Sequence, residues 1–324
     1  MRPFTFAAAA SVREALARTR SGTAYLAGGT TLVDLMKLGV MTPDQVVDIN
    51  RLPLRGIRAD RHGLRIGALE RMSDVAADPG VQAYPMVAGA LSGASPQLRN
   101  MATIGGNLLQ RTRCGYFRDT ATPCNKREPG TGCPAVEGEN RGHAILGTSD
   151  SCVATHASDL AVALVALDAA LSLRGPAGTR TVRLADFYRL PGATPHLETD
   201  LRPGELIEAV HVPPLVLARH STYLKLRDRR SYGFALASAA VGVHLVGEKI
   251  HDVRIAVGGV GTVPWRLPAV EDELRHRPMR REVFEAAARR AAEGVRPLAR
   301  NRFKVTLMQR AIVRALMDLA GGDD

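Results

Sequence analysis

The feature that most constrains this chain is the distribution of its four cysteines. All four lie within residues 114–152, and the remainder of the 324-residue chain contains none. Nine, eight and eighteen residues separate Cys114, Cys124, Cys133 and Cys152 in turn. The surrounding stretch is dense in Gly, Pro and Thr and has little periodicity, so we expect an insertion that something other than an apolar core holds together. The clustering predicts one shared site.

Three chemistries remain open for four clustered thiols. They can ligate a [4Fe–4S] cluster or a zinc ion, or they can form two disulfides in an oxidising compartment. The spacing argues against zinc, because structural zinc sites usually contain ligand pairs about two to four residues apart. Disulfides would require that the protein be exported to an oxidising compartment. The rest of the chain has enough apolar residues to form a core without disulfide cross-links.

Length and composition narrow the class of protein. A chain of 324 residues can form two or three domains, and no apolar run is long enough to span a membrane. The net charge of +11 is spread along the chain and only 4% of residues are aromatic, so we expect no nucleic-acid partner. The N-terminus has no legible export signal, which favours a cytoplasmic protein, or a periplasmic one exported with a partner.

The first residues alternate between strand and helix patterns. Thr23–Leu26 predicts a strand, the spacing after Gly28-Gly29 predicts a helix from Leu32, and Val46–Ile49 predicts another strand. Such a strand, glycine turn, helix and strand can hold a phosphate, although paired glycines are more often plain turns. Further along, the pattern predicts helices at Met72–Ala77, Met86–Ala94 and Leu160–Leu167, strands near Leu171 and Val182, and a domain boundary near residue 215. Beyond it we expect strands, or a mixture of strand and helix, at Thr222–Leu226, Ala235–Val246 and Val253–Val257, then two amphipathic helices within Arg281–Leu319.

Several motifs resemble a known family. Leu26–Leu32, Arg99–Asn107 and Ser158-Asp159-Leu160 are similar to the FAD-binding medium subunits of molybdenum hydroxylases, the xanthine dehydrogenase and carbon monoxide dehydrogenase group. Tyr223-Leu224-Lys225 and Tyr232–Ala235 resemble the start of the family's C-terminal flavoprotein domain. The resemblance implies an α+β fold with a two-subdomain FAD-binding domain of the PCMH or vanillyl-alcohol-oxidase type, followed by a smaller α/β domain. The corresponding ranges are 1–215, with a cysteine-rich loop inserted at about 110–155, and 216–324.

The same resemblance implies how FAD is held. Its pyrophosphate is expected at two glycine segments, its ribose at Asp159, and its isoalloxazine near Ile207 and Lys225. Alternatively, Asp159 is simply a helix N-cap and Lys225 a surface lysine beside a strand. The glycine segments are Ala27, Gly28, Gly29, Thr30, Thr31 and Leu32, and Thr103, Gly105, Gly106 and Asn107.

Most members of the family lack the cysteine insertion. The chain resembles the subset with an additional [4Fe–4S] cluster, found in periplasmic-type aldehyde oxidoreductases and hydroxybenzoyl-CoA reductases, which implies Cys114, Cys124, Cys133 and Cys152 as cluster ligands. Leu224–Tyr232 and the residues around Cys114 favour the aldehyde-oxidising side. Nearby cations are expected either to offset the cluster's negative charge or to be simply solvated. These cations are Arg111, Arg113, Arg118, Lys126 and Arg127.

The implied function is electron transfer. A large subunit with a molybdenum cofactor would oxidise an aldehyde, and a small subunit with two [2Fe–2S] clusters would pass electrons to this FAD and on to an external acceptor. No residue of this chain is expected to act as an acid, base or nucleophile. His143 and His156 lie close to the cysteines; they are either hydrogen-bond donors beside the cluster or ordinary loop histidines, and the second reading is favoured. The alternatives are a subunit of a hydroxybenzoyl-CoA-reductase-like enzyme and a non-redox protein with a disulfide-fastened binding loop.

Overall fold

Three separate sheets organise the chain in a computed structural model that describes residues 1–321. The strands are β1 (Thr5–Ala8), β2 (Thr23–Leu26), β3 (Gln45–Asp48), β4 (Ile57–Asp60), β5 (Gly63–Gly67), β6 (Ala170–Gly175), β7 (Gly178–Arg183), β8 (Leu206–Val212), β9 (Ser221–Leu226), β10 (Ala237–Val246), β11 (Lys249–Gly258) and β12 (Trp265–Arg266). The helices are α1 (Val12–Ala17), α2 (Leu32–Lys37), α3 (Met72–Ala77), α4 (Pro79–Gln82), α5 (Pro85–Ser92), α6 (Pro96–Arg99), α7 (Ile104–Leu108), α8 (Gly115–Arg118), α9 (Asp159–Ala166), α10 (Leu184–Phe187), α11 (Pro268–Leu274), α12 (Arg281–Ala288) and α13 (Phe303–Leu319). Short 3-10 turns lie at Pro134–Val136, Val216–Ala218 and Arg289–Ala292.

The first sheet is small and parallel. Its strand order is β1-β3-β2, and α1 and α2 make the connections that parallel strands require. Ser11 caps α1 by accepting a hydrogen bond from the N–H of Glu14. The predicted strand, glycine turn, helix and strand are therefore confirmed. This sheet carries the first glycine segment on the connection between β2 and α2.

The second sheet is antiparallel, with the order β4-β5-β8-β6-β7. Its central strand, β8, has no counterpart among the sequence-based predictions and pairs with β5 and β6, which lie far from it in the chain. The apolar helices α5 and α9 belong to its core, where every residue from Leu160 to Leu167 is buried. The predicted helices in these regions, together with α3, are confirmed.

The third sheet is antiparallel, with the order β12-β11-β10-β9, and belongs to the C-terminal part of the chain. Helices α11, α12 and α13 cover it and share its apolar core. In α13 the buried positions Met308, Ala311, Ile312 and Ala315 recur at helical spacing, which places one face of the helix in the core. The two predicted amphipathic helices are confirmed as α12 and α13.

The cysteine segment, residues 110–155, contains little regular structure, as its composition predicts. Only α8 and one 3-10 turn interrupt its loops. Phe117 packs against Leu35 of α2, whereas Ile145 and Leu146 belong to the core of the third sheet. The segment therefore spans from the first sheet to the third. Within residues 1–321, none of the helices combines the length and the apolar character needed to cross a bilayer.

Candidate cofactor site

The two glycine segments touch each other. A Cβ atom added to Gly28 would lie 2.0 Å from the carbonyl oxygen of Met101, so only glycine allows this approach of the two backbones. Gly29 has a φ of +73°, a left-handed conformation that glycine adopts without strain. Thr103 caps α7 by accepting a hydrogen bond from the N–H of Gly106 at 3.3 Å. Segments that are some seventy residues apart in the chain thus form one surface.

A cavity of about 320 Å³, which we call the glycine cavity, opens along this surface. Glu205 and Leu206, at the start of β8, also line it. It is bounded on one side by the first sheet and on another by the second. The predicted cofactor residues that line it are Ala27, Gly28, Gly29, Thr30, Thr31, Leu32, Thr103, Gly105, Gly106 and Ile207.

A second cavity, of about 130 Å³, adjoins the first; we call it the Asp159 cavity. Thr30, Thr31 and Gly106 line both cavities, so the glycine segments lie at their junction. The remaining predicted residues, Asn107, Asp159 and Lys225, line the Asp159 cavity alone, together with Tyr232–Phe234. The structure therefore brings all predicted FAD residues to two connected cavities.

Asp159 and Lys225 form a buried ion pair. Lys225 Nζ lies 2.7 Å from Asp159 Oδ2 and also donates to the carbonyl oxygen of Gly93 at 3.1 Å. The side chains are 14% and 9% exposed, so the reading of Lys225 as a surface lysine is wrong. The N-cap of α9 is Ser158, whose hydroxyl accepts from the N–H of Ala161, so Asp159 does not cap the helix. Both residues of the pair line the Asp159 cavity.

The sequence-based analysis missed Tyr223 as a member of this site. Its hydroxyl donates to Asp159 Oδ1 at 2.6 Å. Burial, and next the negative charge of Asp159, raise the pKa of Tyr223 well above its usual value, so the phenol stays protonated. Tyr223 and Lys225 are two residues apart on β9 and share a face of the strand. That spacing was the available signal.

Ile207 and Lys225 lie in different cavities. Ile207 is buried on β8 and lines the glycine cavity, whereas Lys225 on β9 lines the Asp159 cavity. The expectation that both lie beside one isoalloxazine ring therefore finds no support in this arrangement. Asn107 connects the junction with Asp159, because its Oδ1 accepts from Ser158 Oγ at 2.6 Å.

The four cysteines line one small, enclosed cavity, which we call the cysteine cavity. All four thiols are free, so neither of the two possible disulfides is present. Backbone N–H groups of Tyr116 and Phe117 donate to the Cys114 sulfur, and others donate to the sulfurs of Cys133 and Cys152. Within residues 1–321, no three His, Cys, Asp or Glu side chains are grouped closely enough to hold a single metal ion.

The electrostatics of this cavity disfavour bare thiolates. The pKa of the Cys114 thiol is raised to about 11, mainly by burial and to a smaller extent by the nearby sulfurs of Cys124 and Cys152. Burial is also the main reason that the pKa values of Cys133 and Cys152 are raised. These shifts describe the metal-free thiols, because coordination by a metal deprotonates a thiol outright.

The cations near the cysteines mostly bind other parts of the chain. Arg113 and Arg118 form ion pairs with Asp34 of α2, and Arg111 pairs with Glu198. Arg127 donates to three backbone carbonyls of the same segment. Lys126 lines the cysteine cavity, and its positive charge lowers the pKa of Cys152, although burial outweighs this effect.

His143 is not an ordinary loop histidine. It is 8% exposed, lines the cysteine cavity, and places Nε2 3.2 Å from Cys114 Sγ. Burial, with a contribution from the Lys304 ammonium, lowers the pKa of His143 to about 4. His156 is half-buried and packs edge-on against Tyr188 with ring centroids 4.4 Å apart. For His143 the structure therefore favours the alternative of a hydrogen-bonding residue beside the cysteines over that of an ordinary loop histidine.

Comparison with known proteins gives consistent matches along the chain. Residues 2–215 match the FAD binding domain in molybdopterin dehydrogenase, and residues 222–319 match the CO dehydrogenase flavoprotein C-terminal domain. The chain is 47% identical to the aldehyde oxidoreductase FAD-binding subunit PaoB of Escherichia coli, covering 98% of both chains. It is 30% identical to the glyceraldehyde dehydrogenase medium chain of Sulfolobus acidocaldarius, covering 91% of this chain and 89% of the relative.

A solved structure with the same architecture is a carbon monoxide dehydrogenase chain from Hydrogenophaga pseudoflava. The TM-score is 0.76, the sequence identity is 28%, and the match covers 99% of each chain. The arrangement of the three sheets is therefore shared with that chain over its whole length.

Proposed function

Because the chain belongs to the FAD-binding subunits of the molybdenum hydroxylase family, we propose that it carries one FAD and one [4Fe–4S] cluster as the electron-transfer subunit of a heterotrimeric aldehyde oxidoreductase. A large subunit with the molybdenum cofactor oxidises the aldehyde to a carboxylic acid in this proposal. A small subunit with two [2Fe–2S] clusters delivers the electrons, and an external acceptor removes them. Residues 1–215 form the FAD-binding domain and 216–324 the C-terminal domain.

The two connected cavities support a specific placement of FAD. We assign its pyrophosphate to the junction, which Thr30, Thr31 and Gly106 line; the hydroxyl groups of the two threonines can donate to phosphate oxygens. The adenine then lies in the glycine cavity with Ile207, and the isoalloxazine lies in the Asp159 cavity. Lys225 supplies a positive charge there, which stabilises a reduced, anionic flavin ring.

The convergence of four free thiols on one cavity is the observation that carries the cluster assignment. Cys114, Cys124, Cys133 and Cys152 are the proposed ligands. The four cysteines include no pair about two to four residues apart, the spacing that structural zinc sites usually have, so the spacing favours a cluster over zinc. FAD accepts electrons singly and releases one or two, and a cluster exchanges one at a time.

The relatives support an aldehyde as substrate. Two of them are named as aldehyde-oxidising or glyceraldehyde-oxidising enzymes, including the one that is 47% identical. The reductase alternative uses the same cysteines, so only a substrate assay separates the two. The non-redox alternative loses its support, since the thiols are free and the family is one of oxidoreductases.

Cofactor analysis of the purified complex tests the proposal. We expect about one FAD and about four irons for this chain, beyond the irons of the small subunit, with the spectrum of a reduced [4Fe–4S] cluster at low temperature. The double variant Cys124→Ser and Cys133→Ser should lose these four irons and keep its FAD. The exposed Thr120→Ala in the same segment serves as a control that keeps both. A wild-type complex that contains FAD but lacks the additional four irons would contradict the cluster assignment.

A substrate assay tests the enzyme class. The complex should reduce an artificial dye with aromatic or aliphatic aldehydes, and the acid product should appear in equal amount to the two-electron reduction of the dye. Oxidation of xanthine or carbon monoxide without oxidation of any aldehyde would exclude the proposed substrate class.

A further inference from the structure

His143 lies inside the cysteine segment and faces a proposed cluster ligand. Its Nε2 is 3.2 Å from Cys114 Sγ, within hydrogen-bond range for sulfur. Its backbone N–H donates to the carbonyl oxygen of Asn140 at 2.9 Å, which closes a tight turn around Gly142. The ring is therefore held against the sulfur by its own loop.

Helix α13 fixes the same loop from outside. Lys304 is fully buried, and its Nζ donates to the carbonyl oxygens of Gly142 at 2.9 Å, His143 at 3.0 Å and Gly259 at 2.7 Å. Asn301 donates from Nδ2 to the carbonyl oxygens of His143 and Ala144. A buried lysine is costly to desolvate, and three carbonyl acceptors compensate for that cost. The backbone on both sides of His143 is thereby tied to the C-terminal domain.

The chemistry of a ligated cysteine determines which atom donates. A thiolate bound to iron has no proton, so the imidazole N–H must point from Nε2 to the sulfur. The neutral ring then carries its only proton on Nε2 and leaves Nδ1 as an acceptor. Nδ1 is buried and makes no hydrogen bond within residues 1–321, so the ring is free to carry its proton on Nε2.

A hydrogen bond to a ligand sulfur affects the reduced cluster more than the oxidised one. The reduced cluster carries one more negative charge, and a donor stabilises that charge. The low polarity of a buried site strengthens the effect.

We propose that His143, in a loop held by Lys304 and Asn301, donates a hydrogen bond to the Cys114 ligand and raises the reduction potential of the cluster. This inference rests on the proposed function, because it requires the [4Fe–4S] cluster. It adds a residue whose role neither the family motifs nor the cysteine spacing indicates.

Redox titration of the intact complex, followed by electron paramagnetic resonance, tests the role of His143. His143→Leu removes the donor, whereas His143→Gln retains an N–H group at nearly the position of Nε2. We expect the midpoint potential of His143→Leu to move to more negative values with about four irons retained, and His143→Gln to stay near the wild type. His211→Gln, which changes a histidine paired with Ser172 in the second sheet, is the matched control.

The outcomes separate this inference from the function on which it rests. Absence of the cluster in the wild-type complex overturns the proposed function itself. An intact cluster whose potential is the same in wild type and His143→Leu overturns only the role of His143.

If His143→Leu loses its iron, a second measurement decides. Pulsed resonance of the wild-type complex with ¹⁵N-labelled histidine should show one nitrogen coupled to the reduced cluster, and His143→Gln should abolish that coupling. A wild-type spectrum without histidine coupling contradicts the proposal.

Discussion

Gly28 shows how a single hydrogen atom in place of a side chain can determine a binding surface. In Gly28→Ala the new methyl group would overlap the Met101 carbonyl oxygen, which is a backbone atom and cannot rotate away. We expect a loss of about 1–3 kcal/mol in the free energy of unfolding, with much of the FAD lost on purification. Urea denaturation and flavin content measure the two effects.

Gly142→Ala is the matched control, because a Cβ at Gly142 meets no atom within 4 Å. It should behave like the wild type. Full FAD content and unchanged stability in Gly28→Ala would contradict the close approach of the two glycine segments.

Variants of the Asp159–Lys225 ion pair should affect the free energy of unfolding and the affinity for FAD differently. Lys225→Met leaves the Asp159 carboxylate buried without its cation, so we expect the free energy of unfolding to fall by about 3 kcal/mol. Adding Asp159→Asn removes the unpaired charge and should recover part of that loss. FAD binding should stay weak in both, because both lack the Lys225 ammonium group that is proposed to lie beside the flavin.

Urea denaturation of the flavin-free proteins and FAD titration give the two quantities. A double variant that is less stable than Lys225→Met would show that the pair is not coupled as its 2.7 Å distance indicates.

At the scale of elements, the ion pair of Arg180 and Glu205 in the second sheet should stabilise the fold to an extent that depends on pH. Arg180 on β7 donates to Glu205 Oε1 at 2.7 Å and to Oε2 at 2.8 Å. These hydrogen bonds are the main reason that the pKa of Glu205 is lowered. A lowered folded-state pKa stabilises the protein above the unfolded-state value and ceases to do so as the pH falls through the folded-state value.

Glu205→Gln should therefore cost about 2 kcal/mol at pH 7, and the difference from the wild type should shrink below pH of about 4. Thermal unfolding at several pH values measures this difference. Asp186→Asn, in the exposed pair with Arg183, is the control and should change little. A Glu205→Gln deficit that stays constant into acid would exclude the ionic origin.

The elements themselves were predictable to different degrees. Met72–Ala77 is a helix with the bounds that its pattern predicts, and α9 begins one residue before its predicted start. Both helices could be predicted because the spacing of apolar residues that indicates a helix lies within one contiguous stretch of sequence. Strand β8 was not predicted, although Leu206–Val212 is rich in β-branched and apolar residues. Its neighbours β5 and β6 are distant in the chain, so its place in the sheet depends on long-range pairing.

At the scale of the whole molecule, the cofactor site draws on all three sheets. The glycine cavity lies between the first and second sheets, and Lys225 and Tyr232–Phe234 come from the C-terminal part. A ligand that contacts each part should stabilise the folded chain as a whole. We expect FAD at a hundred times its Kd to stabilise the flavin-free protein by about 2.7 kcal/mol.

The Tm should accordingly rise by a few degrees and keep rising with the logarithm of the FAD concentration. Riboflavin, which lacks the pyrophosphate and adenine, should give a smaller shift at equal concentration. Equal shifts for the two compounds would contradict the placement of the pyrophosphate at the junction of the cavities.

The sequence by itself determined the local structure and the identity of the site residues. Glycine pairs, cysteine clustering and helical periodicity are properties of contiguous residues, and family motifs lie within short segments. Those features were enough to select the four cysteines of the cysteine cavity and thirteen residues that line the glycine cavity or the Asp159 cavity, but not Tyr223.

Only the tertiary structure decided how those residues face each other. The pairing of Asp159 with Lys225, the separation of Ile207 from Lys225, and the contact of His143 with Cys114 join side chains from different elements. Lys304 lies on α13 yet its ammonium group fixes the loop of the cysteine segment. The physical reason is that such contacts arise from the packing of sheets and helices against one another, whose geometry no short stretch of sequence contains.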